Sequence, residues 1–586
     1  MRSIKWLHEL WKDKKKLVLL LVVLSVANAC LAVAYPLYMR AVIDAVKEKA
    51  GAEAISKNVL ILLLIGVANF LVYSFMQGTR AWTNIRFERD IRQRVFGHLI
   101  RLGRSFFQKY RTGDVVTRLT DDISTEIKLS WFACSGVFRT VEALCIIILG
   151  LVFMIRLNPL LTLAAVGPLP VLIIIFMWTS SAVQSRYERL QERISDVNAH
   201  MEACFSGIRV VKAYRREDAQ RKSFHEVLDR RRRAEIDAVK VGTVIESMYG
   251  YIWQFGVIIV LLVGGKMVMD GALSIGTLVA FDAYVFLLVF PMYDIGSFFV
   301  QGKRAGVSIG RLVEMESVKP EVEEATAPKA VPRALGALRF ENVSLSFSRG
   351  GAKVLDEVSF EARPGELVAL VGKVGSGKSS VVNLVPRLFD PTEGQIFIDG
   401  VSTRELWLED LRSLIGYVPQ EPLLFSDSIA NNIRFHRDGI TQEQILQASE
   451  VARLKGEVEQ FPEGFDTRIG QRGATISGGQ KQRVALARAL AGKPKILILD
   501  DCTASLDAET EAALWNGLHE VFPHCTTLVI SHRAATLERA DLILVFDQGK
   551  IVERGTHSEL VSKRGVYHTL YELGKLEEEV GRDWGD

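Results

Sequence analysis

Cysteine is scarce in this chain, with 6 in 586 residues. Cys30, Cys134, Cys145, Cys204, Cys502 and Cys525 lack the paired spacing that builds a zinc site or a disulfide framework, so they read as small buried side chains. A dominant charge is missing too. The formal net charge is only +4. Its basic clusters, Lys12, Lys14, Lys15, Lys16 and Arg230, Arg231, Arg232, Arg233, flank apolar stretches, where membrane proteins keep cytoplasmic positive charge, and no nucleic-acid partner is expected. No convincing cleavage site follows the basic N-terminus. The apolar run at 17–38 is too long for a signal-peptide core and reads as a retained span. Long apolar runs are absent beyond about residue 305, which divides the chain into a membrane half and a soluble half.

A membrane span needs about 20 mostly apolar residues. Six stretches qualify: 17–39, 58–79, 132–155, 159–182, 248–269 and 275–300. An even count leaves both termini on one side, and the basic flanks place that side in the cytoplasm. The second and third spans are separated by about 50 residues and the fourth and fifth by about 65, too long for ordinary loops. These connections read as helical hairpins, and residues 183–207 alone would project about 35 Å at 1.5 Å per residue. Charges within spans are costly, so Arg139, Glu142, Glu246, Asp282 and Asp294 should face a bundle interior, a partner or an aqueous cavity. Arg139 and Glu142 are spaced to pair with each other. Asp282 and Asp294 admit two roles, substrate lining or hydrogen bonding within the bundle. The aromatics Phe281, Tyr284, Phe286, Phe290 and Tyr293 fit an apolar pathway and also fit lipid contact or helix packing.

Between 314 and 337 the composition changes, with Pro320, Pro328 and Pro332 among acidic residues marking a linker. The expected organisation is a transmembrane domain at 1–313, this linker, and a soluble domain at 338–586. In the soluble domain an apolar strand at 367–371 runs into Gly372-Lys-Val-Gly375-Ser376-Gly377-Lys378-Ser379, followed by Ser380 and a helical stretch. This is a phosphate-binding loop: glycines permit the turn that aims backbone N–H groups at phosphate, Lys378 neutralises oxygens, and Ser379 offers a hydroxyl to Mg²⁺. A second apolar strand at 496–499 ends in Asp500, the expected carboxylate for Mg²⁺. ATP and Mg²⁺ are therefore the expected cofactors.

The class comes from Ile476-Ser477-Gly478-Gly479-Gln480, directly before a helical run at 481–491. Here the chain resembles the ATP-binding-cassette (ABC) family, whose signature Leu-Ser-Gly-Gly-Gln differs at the first residue only. The resemblance implies that this segment closes over ATP held by a partner domain. A serine hydroxyl and glycine N–H groups at a helix N-terminus suit a γ-phosphate. It further implies that Gln420 senses Mg²⁺ and contacts the membrane half, that His532 is the switch histidine, and that Phe347 stacks on adenine. Ser505-Leu506-Asp507 resembles the loop that crosses the dimer interface. Six spans ahead of one cassette is the arrangement of exporter half-transporters. The segments around Thr112-Gly113-Asp114 and Gly207 to Tyr214 resemble the family's two coupling segments. The expected fold is thus an α-helical six-span transmembrane domain of exporter type plus an α/β P-loop nucleotide-binding domain.

One further absence qualifies the resemblance. The family usually places glutamate after the Mg²⁺-holding aspartate, and this chain has Asp501. A side chain one methylene shorter misplaces the catalytic carboxylate by about 1 Å, which costs on the order of 10²-fold in rate. The expectation is a site that binds ATP well and hydrolyses it poorly, in a heterodimer whose other half-transporter carries the glutamate. A homodimer and a nucleotide-sensing regulatory subunit are the alternatives. Gln471 stands where exporters commonly have glutamate, removing a charge but keeping an acceptor. The expected cargo is a hydrophobic or amphipathic drug or lipid, moved across a bacterial cytoplasmic membrane with the nucleotide-binding domain and both termini in the cytoplasm.

Overall fold

A computed structural model describes residues 2–124, 129–167, 169–331, 334–347, 351–470, 476–502 and 508–583. They form two compact units: one holds the chain up to Arg101 and from Lys109 to Val318, the other Leu102–Gln108 and the chain from Lys319 onward.

Helices are the regular structure of the first unit among its described residues, and they suit an apolar solvent because their internal bonds leave no backbone polar group stranded in lipid. An amphipathic helix, α1 (Arg2–Trp11), precedes α2 (Lys15–Lys47) and α3 (Ala52–Leu99). α4 (Thr112–Ser124) follows, then a π-helical turn, Phe132–Gly136, leads into α5 (Val137–Leu157). α6 (Leu169–Ser206), α7 (Ile208–Ala213) and α8 (Glu217–Ile259) form the second long excursion, and α9 (Ile275–Glu316) closes the unit. All six apolar runs are helical. Four stretches, Lys15–Lys47, Ala52–Leu99, Leu129–Leu157 and Ile275–Glu316, are long and apolar enough to cross a membrane. Run 159–182 is divided between Pro159–Val166 and α6, and run 248–269 between α8, a π-helical turn and the short helix Gly265–Met269.

The interior of this unit joins Ala29 and Val33 of α2, Ile146 and Met154 of α5, and Phe281, Tyr284, Val285 and Leu288 of α9. Tyr284 donates its hydroxyl hydrogen to the Val33 carbonyl at 2.8 Å, so its one polar atom is satisfied inside the bundle. At the start of α9, Asp44 of α2 accepts from the Gly276 amide at 2.9 Å and from the Ser274 hydroxyl at 2.9 Å. A Cβ at Gly276 would sit 2.5 Å from the Arg40 carbonyl, so this close approach requires glycine.

Two expectations are corrected here. Arg139 and Glu142 do not pair with each other: Glu142 binds Arg80 of α3 at 2.8 Å, and Arg139 faces Asp294 of α9 at 3.8 Å. Their own helix spacing loses to tertiary packing, which buries Arg80 and demands a local anion. The last membrane helix also continues past residue 313 to Glu316, held by Tyr110 donating to Glu314 at 2.6 Å and by Arg94 donating twice to Glu316 at 2.7 Å. The side chain of Glu246 lies outside those described. All six cysteines are free, but only Cys134 and Cys502 are buried; Cys145, Cys204 and Cys525 are half-buried and Cys30 is exposed.

The second unit has two sheets. β1 (Leu338–Leu345), β2 (Leu355–Ala362), β4 (Glu393–Ile398) and the short β5 (Val401–Ser402) form an antiparallel sheet in the order β2-β1-β4-β5. The other sheet runs β10-β9-β3-β8-β7-β6, from β3 (Leu367–Gly372), β6 (Ile415–Val418), β7 (Ile496–Asp500), β8 (Thr526–Ile530), β9 (Leu542–Asp547) and β10 (Lys550–Gly555). Its members are parallel except β10. β7 and β8 are buried along their whole length, which is why residues 496–499 of β7 read as an unbroken apolar run rather than an alternating one.

Candidate functional site

The order of the parallel strands assembles the site. In open α/β sheets, ligands bind beyond the carboxyl ends of the strands. Here β3, β8, β7 and β6 are consecutive neighbours. Just past their ends lie Lys378 after β3, His532 after β8, Asp500 and Asp501 at β7, and Gln420 after β6. Residues spread over more than 150 positions of sequence are thus delivered to one edge.

The loop after β3 is built around glycine. Gly372 has φ 151°, and a Cβ there would lie 2.2 Å from the Phe546 carbonyl; Gly377 has φ 103° and sits against the Val354 carbonyl. Lys378 opens the helix α10 (Lys378–Leu384) and folds its ammonium back into the loop, donating to the carbonyls of Gly372 at 2.6 Å and Lys373 at 2.9 Å. Ser376 is buried, while Val374 is fully exposed at the crest. Ser380 donates its amide to the Gly377 carbonyl at 3.0 Å, fixing the first turn of α10.

The Ser379 hydroxyl lies 3.4 Å from Asp500 Oδ1, and the Gln420 amide lies 3.5 Å from Asp501 Oδ2. Asp501 has φ 50°, a left-handed conformation that a non-glycine residue rarely adopts, and its amide donates to the Ile530 carbonyl at 3.0 Å. Burial pushes the Asp500 carboxyl above the ordinary range; the Ser379 hydrogen bond opposes this and the neighbouring Asp501 adds to it. Burial also pushes Asp501 up, while the charges of His532 and Lys378 and the Gln420 amide pull it down. Burial pulls the Lys378 ammonium below its usual value, and the two aspartates push it back. A desolvated ammonium in a glycine cradle fits phosphate. Two mutually repelling carboxylates beside a hydroxyl form a hard oxygen set that fits Mg²⁺.

Ser477 and Gln480 do something the sequence reading missed. Ser477 caps α11 (Gly478–Ala491): its hydroxyl oxygen accepts from the Gln480 amide at 3.2 Å, and the Gln480 side chain accepts from the Ser477 amide at 3.0 Å. This is a capping box, legible as Ser-x-x-Gln before a helix. It points the free N–H groups of Gly478 and Gly479 out of a helix start with its dipole behind them. Phe347 stands 61 % exposed, its ring edge-on to Phe389 at 5.3 Å, so an apolar face is open to a planar ligand. His532 is exposed on the segment between β8 and the next helix. Asp507 and Gln471 lie outside the described residues. Tyr417 was also missed: from β6 it donates to Asn383 of α10 at 2.9 Å, tying the strand that leads to Gln420 to the helix that starts at Lys378. Burial pushes its phenol up to about 12, so it stays a donor.

Comparison with known proteins follows the same division. Residues 18–292 match the family model of the ABC transporter transmembrane region, and residues 355–504 match the family model of the ABC transporter. The chain is 32% identical over 532 residues to the probable multidrug resistance ABC transporter ATP-binding/permease protein YheI of Bacillus subtilis, covering 90% of each. It is 34% identical over 517 residues to the ATP-dependent lipid A-core flippase of Shewanella denitrificans, covering 87% of this chain and 84% of the flippase. A solved bacterial Atm1-family ABC exporter with ATP bound superposes with a TM-score of 0.75 at 25% identity, over 96% of this chain and 98% of that one. With a matching membrane region and a matching ATPase domain on one polypeptide, the chain belongs to the ABC transporter family and is an exporter half-transporter that couples ATP hydrolysis to transport.

Proposed function

We propose that the chain exports hydrophobic or amphipathic drugs or lipids across a bacterial cytoplasmic membrane, as one half of a heterodimer whose other half carries the full-length catalytic glutamate. The drug and lipid names of its relatives support the cargo class. The observation that carries the asymmetry is Asp501, which follows Asp500 with a shortened side chain on a left-handed backbone. The nucleotide-binding domain and both termini lie on the cytoplasmic side, where the basic flanks of the spans belong.

In this reading Lys378 and the loop from Gly372 to Ser380 hold the phosphates, and Phe347 takes the adenine. Ser379, Asp500 and Gln420 would hold Mg²⁺, which would supply positive charge to neutralise the phosphates. Asp501 faces the attacking water and His532 the γ-phosphate, while Ser477, Gly478 and Gly479 are presented to nucleotide held by the partner, with Asp507 at the crossing. Gln480 fixes the cap that presents them. Asp501 positions water poorly, so this chain's own site clamps ATP more than it consumes it.

The test is the complex purified through a tag on this chain from its native membrane. A second half-transporter with glutamate after its aspartate should co-purify, and ATP-driven uptake into inside-out vesicles should be lost with Lys378→Ala. Recovery of this chain alone, as a dimer that hydrolyses ATP at a normal rate, would overturn the asymmetric reading.

A further inference from the structure

The membrane unit treats its buried ions unequally. Arg80, 1 % exposed, is bound by Glu142 at 2.8 Å, and Asn28 donates to the same carboxylate at 2.6 Å. Asp294 faces Arg139 at 3.8 Å. Asp282 differs: its Oδ1 is buried with no hydrogen-bond partner, and among the described residues no cation lies within ion-pair distance. It sits on α9 seven residues after Ile275, about 10 Å along the helix and well inside the span. A lone carboxylate at that depth is expensive, and such residues mark substrate or ion pathways.

The residues on the same face bear on what would meet it. Phe286, Phe290 and Tyr293 stand at i+4, i+8 and i+11 from Asp282, which places all four along one stripe of α9. Their side chains are 50 %, 65 % and 54 % exposed, and the rings of Phe286 and Phe290 meet edge-on at 6.0 Å. Aromatic faces attract organic cations as well as apolar bodies. The stripe therefore combines a carboxylate that has no ion-pair partner among the described residues with an aromatic track.

We propose that Asp282 is the counter-charge for an organic cation carried by this exporter, whose apolar, aromatic body lies along Phe286, Phe290 and Tyr293. The proposal rests on the export reading above and narrows its cargo from amphipathic molecules in general to cationic ones. Aromatics that merely face lipid would give no preference for positive charge, so charge is the variable to test.

The experiment uses the complex purified through this chain and placed in lipid nanodiscs. Binding is measured by fluorescence for ethidium, a permanent cation, and for its neutral dihydro form, which keeps the ring body. Ethidium should bind wild type more tightly than the neutral dye. Asp282→Asn should weaken ethidium about tenfold and shift the neutral dye by less than about twofold, while Asp282→Glu should keep most of the affinity. Retained binding of the neutral dye shows that the Asn variant is folded, and the Glu variant separates loss of charge from loss of shape. Equal binding of ethidium by wild type and Asp282→Asn, or no preference of wild type for the cation, overturns the proposal. The export reading fails separately, if inside-out vesicles accumulate no tested compound in an ATP- and Lys378-dependent way.

Discussion

The two units solve opposite burial problems. In the membrane unit large apolar side chains point outward, as with Leu63 at 62 % and Phe70 at 68 % exposure, while Arg80 and Glu142 are hidden. In the ATPase unit the apolar residues fill the strands, as with Ile498 and Leu499, and the charged groups gather beyond the strand ends. Each unit nevertheless confines its costly charges to a few places. In the first, Arg80 and Glu142 neutralise each other across helices, while Asp282 keeps a buried oxygen with no hydrogen-bond partner among the described residues. In the second, the charges are left partly uncompensated, with a depressed ammonium facing raised carboxylates, as a site that awaits a charged ligand should be.

The largest break in this contrast should come from Arg80→Ala. Leaving Glu142 buried without its cation should cost about 3–5 kcal/mol of stability, whereas replacing both partners with apolar residues of similar volume should cost little. Thermal unfolding in nanodiscs of the single and double variants measures the difference. By contrast Arg139→Ala removes a looser pair at 3.8 Å and should cost no more than about 1 kcal/mol.

Next comes Asp501→Glu. If side-chain length limits the site, hydrolysis at this chain's ATP site should rise on the order of 10²-fold, about 2.7 kcal/mol in the barrier. Phosphate release by a complex whose partner site is disabled reads it directly, and an unchanged rate would mean that Asp501 is already a competent base. A smaller effect belongs to Ser477→Ala, which deletes the cap of α11 and should cost about 1 kcal/mol in domain stability. Ser477→Asp should restore the cap but place an anion where phosphate is expected, separating capping from nucleotide contact in an ATPase assay.

The smallest effect is a pH dependence. Asp500 and Asp501 have folded pKa values above their unfolded ones. Without ligand the fold therefore takes up protons more readily than the unfolded chain, and this contribution is present at low pH and lost as pH rises through the raised values. Mg²⁺ binding runs the other way, since it needs the Asp500 carboxylate ionised. Mg·ATP affinity should thus begin to fall, on acidification, at a higher pH than an ordinary carboxylate would give, and titration calorimetry across pH would show it.

Much of this was legible in the linear chain because it depends on local chemistry. The phosphate loop needs glycines at fixed spacing before a helix, and Gly372, Gly377, Lys378 and Ser379 carry that requirement in consecutive positions. The apolar runs announce themselves because lipid permits no alternative. The capping role of Gln480 was equally local and was overlooked only because the same residues spell the family signature.

Other features depended on packing. No spacing rule pairs Arg80 with Glu142 or Arg139 with Asp294, since helices α3, α5 and α9 must first be brought together and their charges then find partners across them. The convergence of Gln420, Asp500, Asp501 and His532 likewise follows from a strand order, β3-β8-β7-β6, that the order of segments in the chain does not spell out. Sequence alone determined which chemical groups are available and which segments must be helix or strand, because those choices turn on neighbours a few residues apart. Tertiary structure alone decided which charges are neutralised and which, like Asp282, are left without a partner among the described residues, because that depends on helices far apart in the chain.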